Sequence, residues 1–78
     1  MKVKVRLFGH LAERAGRGEL TVDAPGPTAA DVIAAVRRDH PSLPLSAVSV
    51  AVNEEYADGR ARLRPGDVVS LLPPVGGG

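Results

Sequence analysis

The chain predicts an α+β fold of β-grasp topology, a mixed sheet with one main helix packed on it, and three observations carry that expectation. Strict period-two alternation opens the chain, a single amphipathic helix sits in its middle, and an apolar run closes the folded part. One helix has no second helix to pack on, so its apolar face must lie on the sheet.

Lys2-Val3-Lys4-Val5-Arg6-Leu7 sets Val3, Val5 and Leu7 on one face and three cations on the other, the pattern of a half-buried first strand. Phe8 follows and Gly9 breaks the alternation. His10 to Ala15 then forms a short helical turn that closes at Gly16. Glu19 to Asp23 alternates again, with Leu20 and Val22 inward, as a second strand, and Pro25-Gly26-Pro27 is a loop. Thr28 stands three residues before Asp31 in a near capping box, and Val32, Ile33 and Val36 share a face of a helix running from about Ala29 to Asp39. His40-Pro41-Ser42-Leu43-Pro44 ends that helix, because proline cannot continue it. Val48, Val50 and Val52 alternate as a third strand, Asn53-Glu54-Glu55-Tyr56 reads as a turn, and Asp58-Gly59 as another. Arg60, Arg62 and Arg64 alternate with Ala61 and Leu63 through a connecting segment. Pro65-Gly66-Asp67 turns the chain into a last strand, Val68 to Leu72, whose apolar run marks it as central. Four strands are expected, with the last beside the first, in parallel. Residues 1–72 then form one domain, and 73–78 an extended tail.

Seventy-eight residues allow one domain whose apolar residues share one core, which leaves no room for a large internal active site. With 44% apolar and 24% charged residues the chain is globular, and the absence of cysteine excludes a disulfide scaffold, a thiolate zinc site and a cysteine nucleophile. Ten basic and nine acidic residues are interspersed for a net charge of +1, and Phe8 and Tyr56 are the only aromatic residues. Neither a phosphate-binding field nor a base-stacking platform results, so nucleic acid is not an expected partner. No apolar run approaches the ~18 residues of a membrane span, and the expectation is a soluble, cytoplasmic protein without a membrane partner.

The most informative segment is Leu71-Leu72-Pro73-Pro74-Val75-Gly76-Gly77-Gly78. Glycine loses more backbone freedom on ordering than any other residue, so three in succession do not order themselves. Pro73 and Pro74 fix φ and supply no N–H, ending the strand and sending the chain out in extended form. Pro73 to Gly78 can span about 20 Å, a slim tip on a stiff stalk that fits a narrow tunnel in another protein.

Elsewhere the chemistry is sparse. His10 beside Glu13 is a surface residue of a short turn, and His40 suits a helix C-terminus, where a cation meets the dipole. Glu54 and Glu55 in a turn are solvated rather than poised for acid–base work. Gly16-Arg17-Gly18 lacks the Lys-Ser/Thr pair of a phosphate loop. The arginines at 60, 62 and 64 form a solvated face that resists strand pairing, with a docking patch for an acidic partner as the second reading.

Val5-Arg6-Leu7-Phe8 with Leu11-Ala12-Glu13-Arg14-Ala15-Gly16, Val50-Ala51-Val52-Asn53 before Tyr56, Gly66-Asp67-Val68-Val69, and Leu72-Pro73-Pro74-Val75 ahead of the glycines resemble the ubiquitin-like sulfur carriers of the MoaD/ThiS family. Within that family the similarity is greatest to the small-subunit branch of molybdopterin synthase, and it spans the whole chain. Pro-Pro-Val is its most specific element, whereas Gly66-Asp67 and the final Gly-Gly are shared across the superfamily. The resemblance implies that Gly78 is adenylated with ATP by an E1-like, MoeB-like enzyme and converted by a sulfur donor to a thiocarboxylate. The tail then enters a MoaE-like large subunit to supply sulfur to cyclic pyranopterin monophosphate in molybdenum cofactor biosynthesis. It further implies no bound cofactor and no metal in this chain, a catalytic site in the large subunit, Gly77 and Gly76 as the slim residues of the tunnel, and Phe8, Tyr56 and Leu72 as apolar contacts to the partner. Position 76 is Gly where synthase subunits more often carry Ser, Ala or Thr. Val-Gly-Gly-Gly also occurs in thiamin carriers, but those are usually shorter and usually lack the Leu-Ala-Glu-Arg-Ala-Gly helix and the Pro-Pro stalk.

Three alternatives stay open at this stage. The acceptor could be thiamin thiazole or tRNA; the chain could be a ubiquitin-like protein modifier, though Lys2 and Lys4 are its only lysines; or it could be an interaction module with a passive tail.

Overall fold

The computed structural model describes residues 1–74. Its elements in chain order are β1 (Lys2–Leu7), α1 (His10–Ala15), β2 (Glu19–Asp23), α2 (Ala29–Asp39), β3 (Ser49–Val52), β4 (Glu55–Ala57) and β5 (Val68–Leu72). The five strands form one sheet in the order β2-β1-β5-β3-β4, with β1 and β5 parallel and every other neighbouring pair antiparallel. This mixed sheet crossed by one main helix is a ubiquitin-like β-grasp fold.

Alternation in β1 decides which face is which. Val3, Val5 and Leu7 are buried while Lys2, Lys4 and Arg6 are exposed, and the register carries that division across the sheet. Val5 lies opposite Val69 and Leu7 opposite Leu71; Leu71 in turn faces Val50. On the other side Val5 meets Leu20 and Val3 meets Val22. These residues form the floor of the core, and α2 covers them with Ala29, Val32, Ala35 and Val36, all buried. Full burial of each valine or leucine among them contributes roughly 1.5–3 kcal/mol. Leu43, Leu45 and Leu63 are also buried, so the loops on either side of β3 and β4 close the ends of the core.

A complete capping box starts α2. The Asp31 N–H donates to Thr28 Oγ1 at 3.2 Å, and the Thr28 N–H donates to Asp31 Oδ2 at 3.0 Å. The Thr28 N–H, and the Thr28 hydroxyl that donates to the same carboxyl oxygen at 2.8 Å, favour the ionised form and hold the Asp31 carboxyl below its ordinary value. The helix ends at His40, whose N–H donates to the Val36 carbonyl, a backbone cap.

One part of the sequence reading needs correction. Asn53-Glu54-Glu55-Tyr56 is not a turn throughout: only Asn53 and Glu54 turn, with φ of 50° and 70°, and Glu55 to Ala57 pairs with β3 as an edge strand. A two-residue hairpin loop is the tightest available, and a three-residue strand leaves too little alternation to be seen in sequence. The sheet therefore has five strands, not four.

Candidate functional site

Continuing the alternation of β1 past Arg6 puts Phe8 on the face of the sheet that α2 does not cover. The same face receives Ser70 and Leu72 from β5, Ala51 from β3 and Tyr56 from β4, because Ser70 lies opposite both Arg6 and Ala51, and Ala51 opposite Tyr56. Two small residues at the middle of this row, Ala51 and Ser70, make a shallow floor. Phe8, Tyr56, Leu72 and Glu54 rise around it and enclose a depression of ≈ 220 Å³.

The three residues expected to contact a partner thus converge on one place. Phe8 is 41% exposed and Tyr56 81%, the exposed large hydrophobic residues of the described chain, and Leu72 is half-buried. Exposed aromatic side chains around an apolar floor are what a protein interface presents at its centre. A second depression of ≈ 280 Å³ adjoins the first and is lined by Arg6, Asn53, Glu54, Val68 and Ser70. With Lys2 and Lys4 further along β1, the open face grades from apolar to cationic. Among the described residues, Lys4 has an exposed ion pair with Glu19 at 3.9 Å, and such a pair contributes at most about 1 kcal/mol.

The loops at the two ends of this face are fixed by different means. Asn53 Nδ2 donates to Asp67 Oδ1 at 2.9 Å, the Val68 N–H donates to Asn53 Oδ1 at 2.9 Å, and the Arg64 N–H donates to Asp67 Oδ2 at 2.8 Å. Accepting from the Arg64 N–H and the Asn53 amide holds the Asp67 carboxyl below its ordinary value. At the other end, where β5 gives way to Pro73, the chain passes against Gly9. Gly9 has φ 56° and ψ −137°, which side-chain-bearing residues rarely adopt, and a Cβ there would stand 3.1 Å from Pro73 Cγ. The backbone of Gly9 is the seat of the first tail proline. Gly76, Gly77 and Gly78 lie outside the described residues.

The remaining expectations find ordinary places. His10 is exposed at the start of α1, Glu54 and Glu55 are exposed, and Arg60, Arg62 and Arg64 are all exposed. Arg60 and Arg62 border a depression at the start of α2 together with Thr28, Ala30, Asp58 and Gly59. It offers little to an anion, since the N–H groups of Ala29, Ala30 and Asp31 already donate to Ala61, Gly59 and Thr28, and Arg60 pairs with Asp58 at 3.3 Å. Among the described residues no cluster of His, Asp and Glu is arranged to hold a metal, and no helix is long and apolar enough to cross a membrane.

Sequence reasoning missed Ala51, Ser70 and Glu54 as the floor and rim of the groove. A trace was legible in Val50-Ala51-Val52 and Val69-Ser70-Leu71, where one small residue interrupts an apolar run at the outward position. Which strands would bring those interruptions together was not.

A small β-grasp domain with a helix on one face of its sheet, an exposed apolar groove on the other and two prolines at the groove's edge has the surface of a protein-docking module. Residues 5–78 match the model of the ThiS family, and the chain belongs to that family. It is 32% identical to the molybdopterin synthase sulfur carrier subunit of Chlamydomonas reinhardtii over 83 residues, covering 100% of both chains. Among solved structures it matches SAMP1 of Haloferax volcanii with a TM-score of 0.81 and 31% identity over 100% of both chains. It also matches a chain of the complex of subunits 1 and 2 of molybdopterin-converting factor from Helicobacter pylori, with a TM-score of 0.72 and 30% identity over 100% of both.

Proposed function

We propose that this chain is a sulfur carrier, the small subunit of a molybdopterin synthase, working through a C-terminal thiocarboxylate on Gly78. The observation that carries the reading is spatial: Leu72 lines the apolar groove and Pro73, the next residue, leaves the sheet seated on Gly9. Docking the groove on a partner thereby fixes where the tail enters it. The full-length similarity to a named sulfur carrier subunit supports the same reading.

The chemistry follows from the terminal group. An α-carboxylate, with a pKa of about 3.3–3.7, is an anion at neutral pH and a poor electrophile. Attack of its oxygen on the α-phosphorus of ATP, catalysed by an E1-like partner, forms an acyl adenylate and releases pyrophosphate. A sulfur donor then displaces AMP and leaves the thiocarboxylate. In the large subunit, that sulfur attacks a carbon of cyclic pyranopterin monophosphate and displaces an oxygen substituent from it, and hydrolysis of the resulting thioester leaves the sulfur on the acceptor as a thiolate and returns the carboxylate. Each chain delivers one sulfur, so a dithiolene takes two loaded chains. The domain of residues 1–72 supplies recognition, and 73–78 is the arm that carries the sulfur between two partners.

The test is the intact mass of the chain after incubation with ATP, its activating enzyme and a sulfur donor. A gain equal to one oxygen replaced by sulfur is expected, and none from a chain lacking Gly78. No adenylate and no thiocarboxylate, with an activating enzyme competent on another carrier, would overturn the reading. A second reading, a ubiquitin-like modifier, is favoured by the likeness to the archaeal modifier protein and predicts isopeptide conjugates of Gly78 to lysines of other proteins.

A further inference from the structure

We propose that Glu54 is a specificity-determining residue of the partner interface, its carboxylate held on the open face of the sheet to receive an arginine or lysine of the protein that docks there. The proposal rests on the docking reading above and adds to it the charge that the partner must bring.

β3 and β4 are joined by a tight hairpin. Its loop is the two residues Asn53 and Glu54, both at positive φ, which is the type I′ turn. Asparagine suits the first position and glycine the second, because a Cβ at positive φ is strained. For Asn53 the chain offsets that cost locally: its N–H donates to the Val68 carbonyl at 2.8 Å, its Nδ2 to Asp67, and its Oδ1 accepts from Val68. Glu54 has no such return. Among the described residues its side chain makes no hydrogen bond and no ion pair, although it holds the less favourable position of the turn.

Its place in the surface is distinctive. Glu54 lines the apolar depression together with Phe8, Tyr56 and Leu72, and also the adjoining one together with Arg6. The residue thus stands on the ridge between the apolar shelf and the cationic side of the face. Arg6 borders the same depression, and among the described residues it makes no ion pair with Glu54. A strained residue is maintained where the surroundings or the function require it, and here the surroundings do not. Ala47, at φ 61°, is the other non-glycine residue at positive φ besides this pair; nothing in the structure explains it, and its methyl group offers a partner no chemistry. A partner that seats apolar side chains over Ala51 and Ser70 excludes water from the Glu54 carboxylate. That strengthens a pairing with a cation and penalises partners without one.

The proposal requires stability and binding to move in opposite directions at one residue. The full chain is compared with Glu54→Gly and Glu54→Gln for thermal unfolding, and for affinity to the molybdopterin synthase large subunit of the same organism by calorimetry at low and high salt. Glu54→Gly is expected to raise Tm by about 4–8 °C and to weaken binding about tenfold or more. Glu54→Gln keeps the turn strain, so its Tm stays near that of the unmodified chain, and its binding weakens comparably, with the deficit shrinking as salt rises. Unchanged affinity in both variants, a loss in Glu54→Gly alone, or a lower Tm for Glu54→Gly each overturns the proposal while leaving the docking reading intact. Failure of the unmodified chain to bind a large subunit that binds another carrier overturns the docking reading and this proposal with it.

Discussion

The two faces of the one sheet differ in almost every physical respect. On the covered face Val3, Val5, Leu7, Leu20, Val22, Val69 and Leu71 are nearly inaccessible and meet a helix whose buried positions are all alanine or valine, with Ile33 half-buried beside them. On the open face the same strands present Lys2, Lys4, Arg6, Ser70, Ala51 and Tyr56, with Phe8 and Leu72 at one end. Residues alternate in chain position, so neighbours one bond apart serve opposite ends: Leu71 holds the fold and Leu72 borders the groove. Stability and recognition are therefore separable here to a degree that a domain with an internal active site does not allow.

That separation can be broken most severely from the covered side. Leu71 is fully buried in the central strand, and Leu71→Ala removes its contacts with the core. The expected cost is about 2–5 kcal/mol, a large fraction of the stability of a chain this size, read from the denaturant midpoint at constant m. A loss below about 1 kcal/mol would mean that the two faces do not differ as described.

The open side predicts the reverse balance. Tyr56, at 81% exposure on an edge strand, contributes to folding mainly through strand preference, so Tyr56→Ala costs stability at most about 1 kcal/mol. Its affinity for the large subunit should fall by about 2 kcal/mol, roughly thirtyfold, if it is an anchor of the groove. Calorimetric titration beside a thermal melt checks both halves, and equal losses in folding and binding would contradict the division between faces.

The smallest effect concerns the loop lock under the open face. Asp67 is held below the ordinary carboxylate value by the Arg64 N–H and the Asn53 amide. A depressed native pKa contributes stability that is present above the unfolded value of about 3.9 and is lost as the pH falls through the lower native value. Asp67→Asn should therefore unfold earlier than the unmodified chain at neutral pH, with the gap between their midpoints narrowing below about pH 4. A gap constant down to pH 2 would show that the charge of Asp67 has no part in the lock.

Much of the fold was legible because it is written in local patterns. β1, α1, β2 and α2 fall where alternation, capping residues and prolines put them, and Val68 to Leu72 is the central strand its apolar run announces. β4 escaped notice because three residues after a two-residue turn carry no period to count. The candidate site was half legible. Phe8, Tyr56 and Leu72 were named through resemblance, and the groove joins them; Ala51 and Ser70 leave only a small-residue trace in two apolar runs, and Glu54 gives no local sign of function.

By itself, then, the sequence determined the elements, their inward faces and a glycine terminus behind two prolines, since each of these follows from chain geometry and side-chain polarity within a few residues. Only the tertiary structure decided that Arg6, Ser70, Ala51 and Tyr56 form one row, that Phe8 and Leu72 border the same groove, and that Pro73 rests on Gly9. Those neighbours come from strands far apart in the chain. Their alignment is set by burial of the opposite face, which fixes the register because a slip of one residue would turn every valine of the core into water.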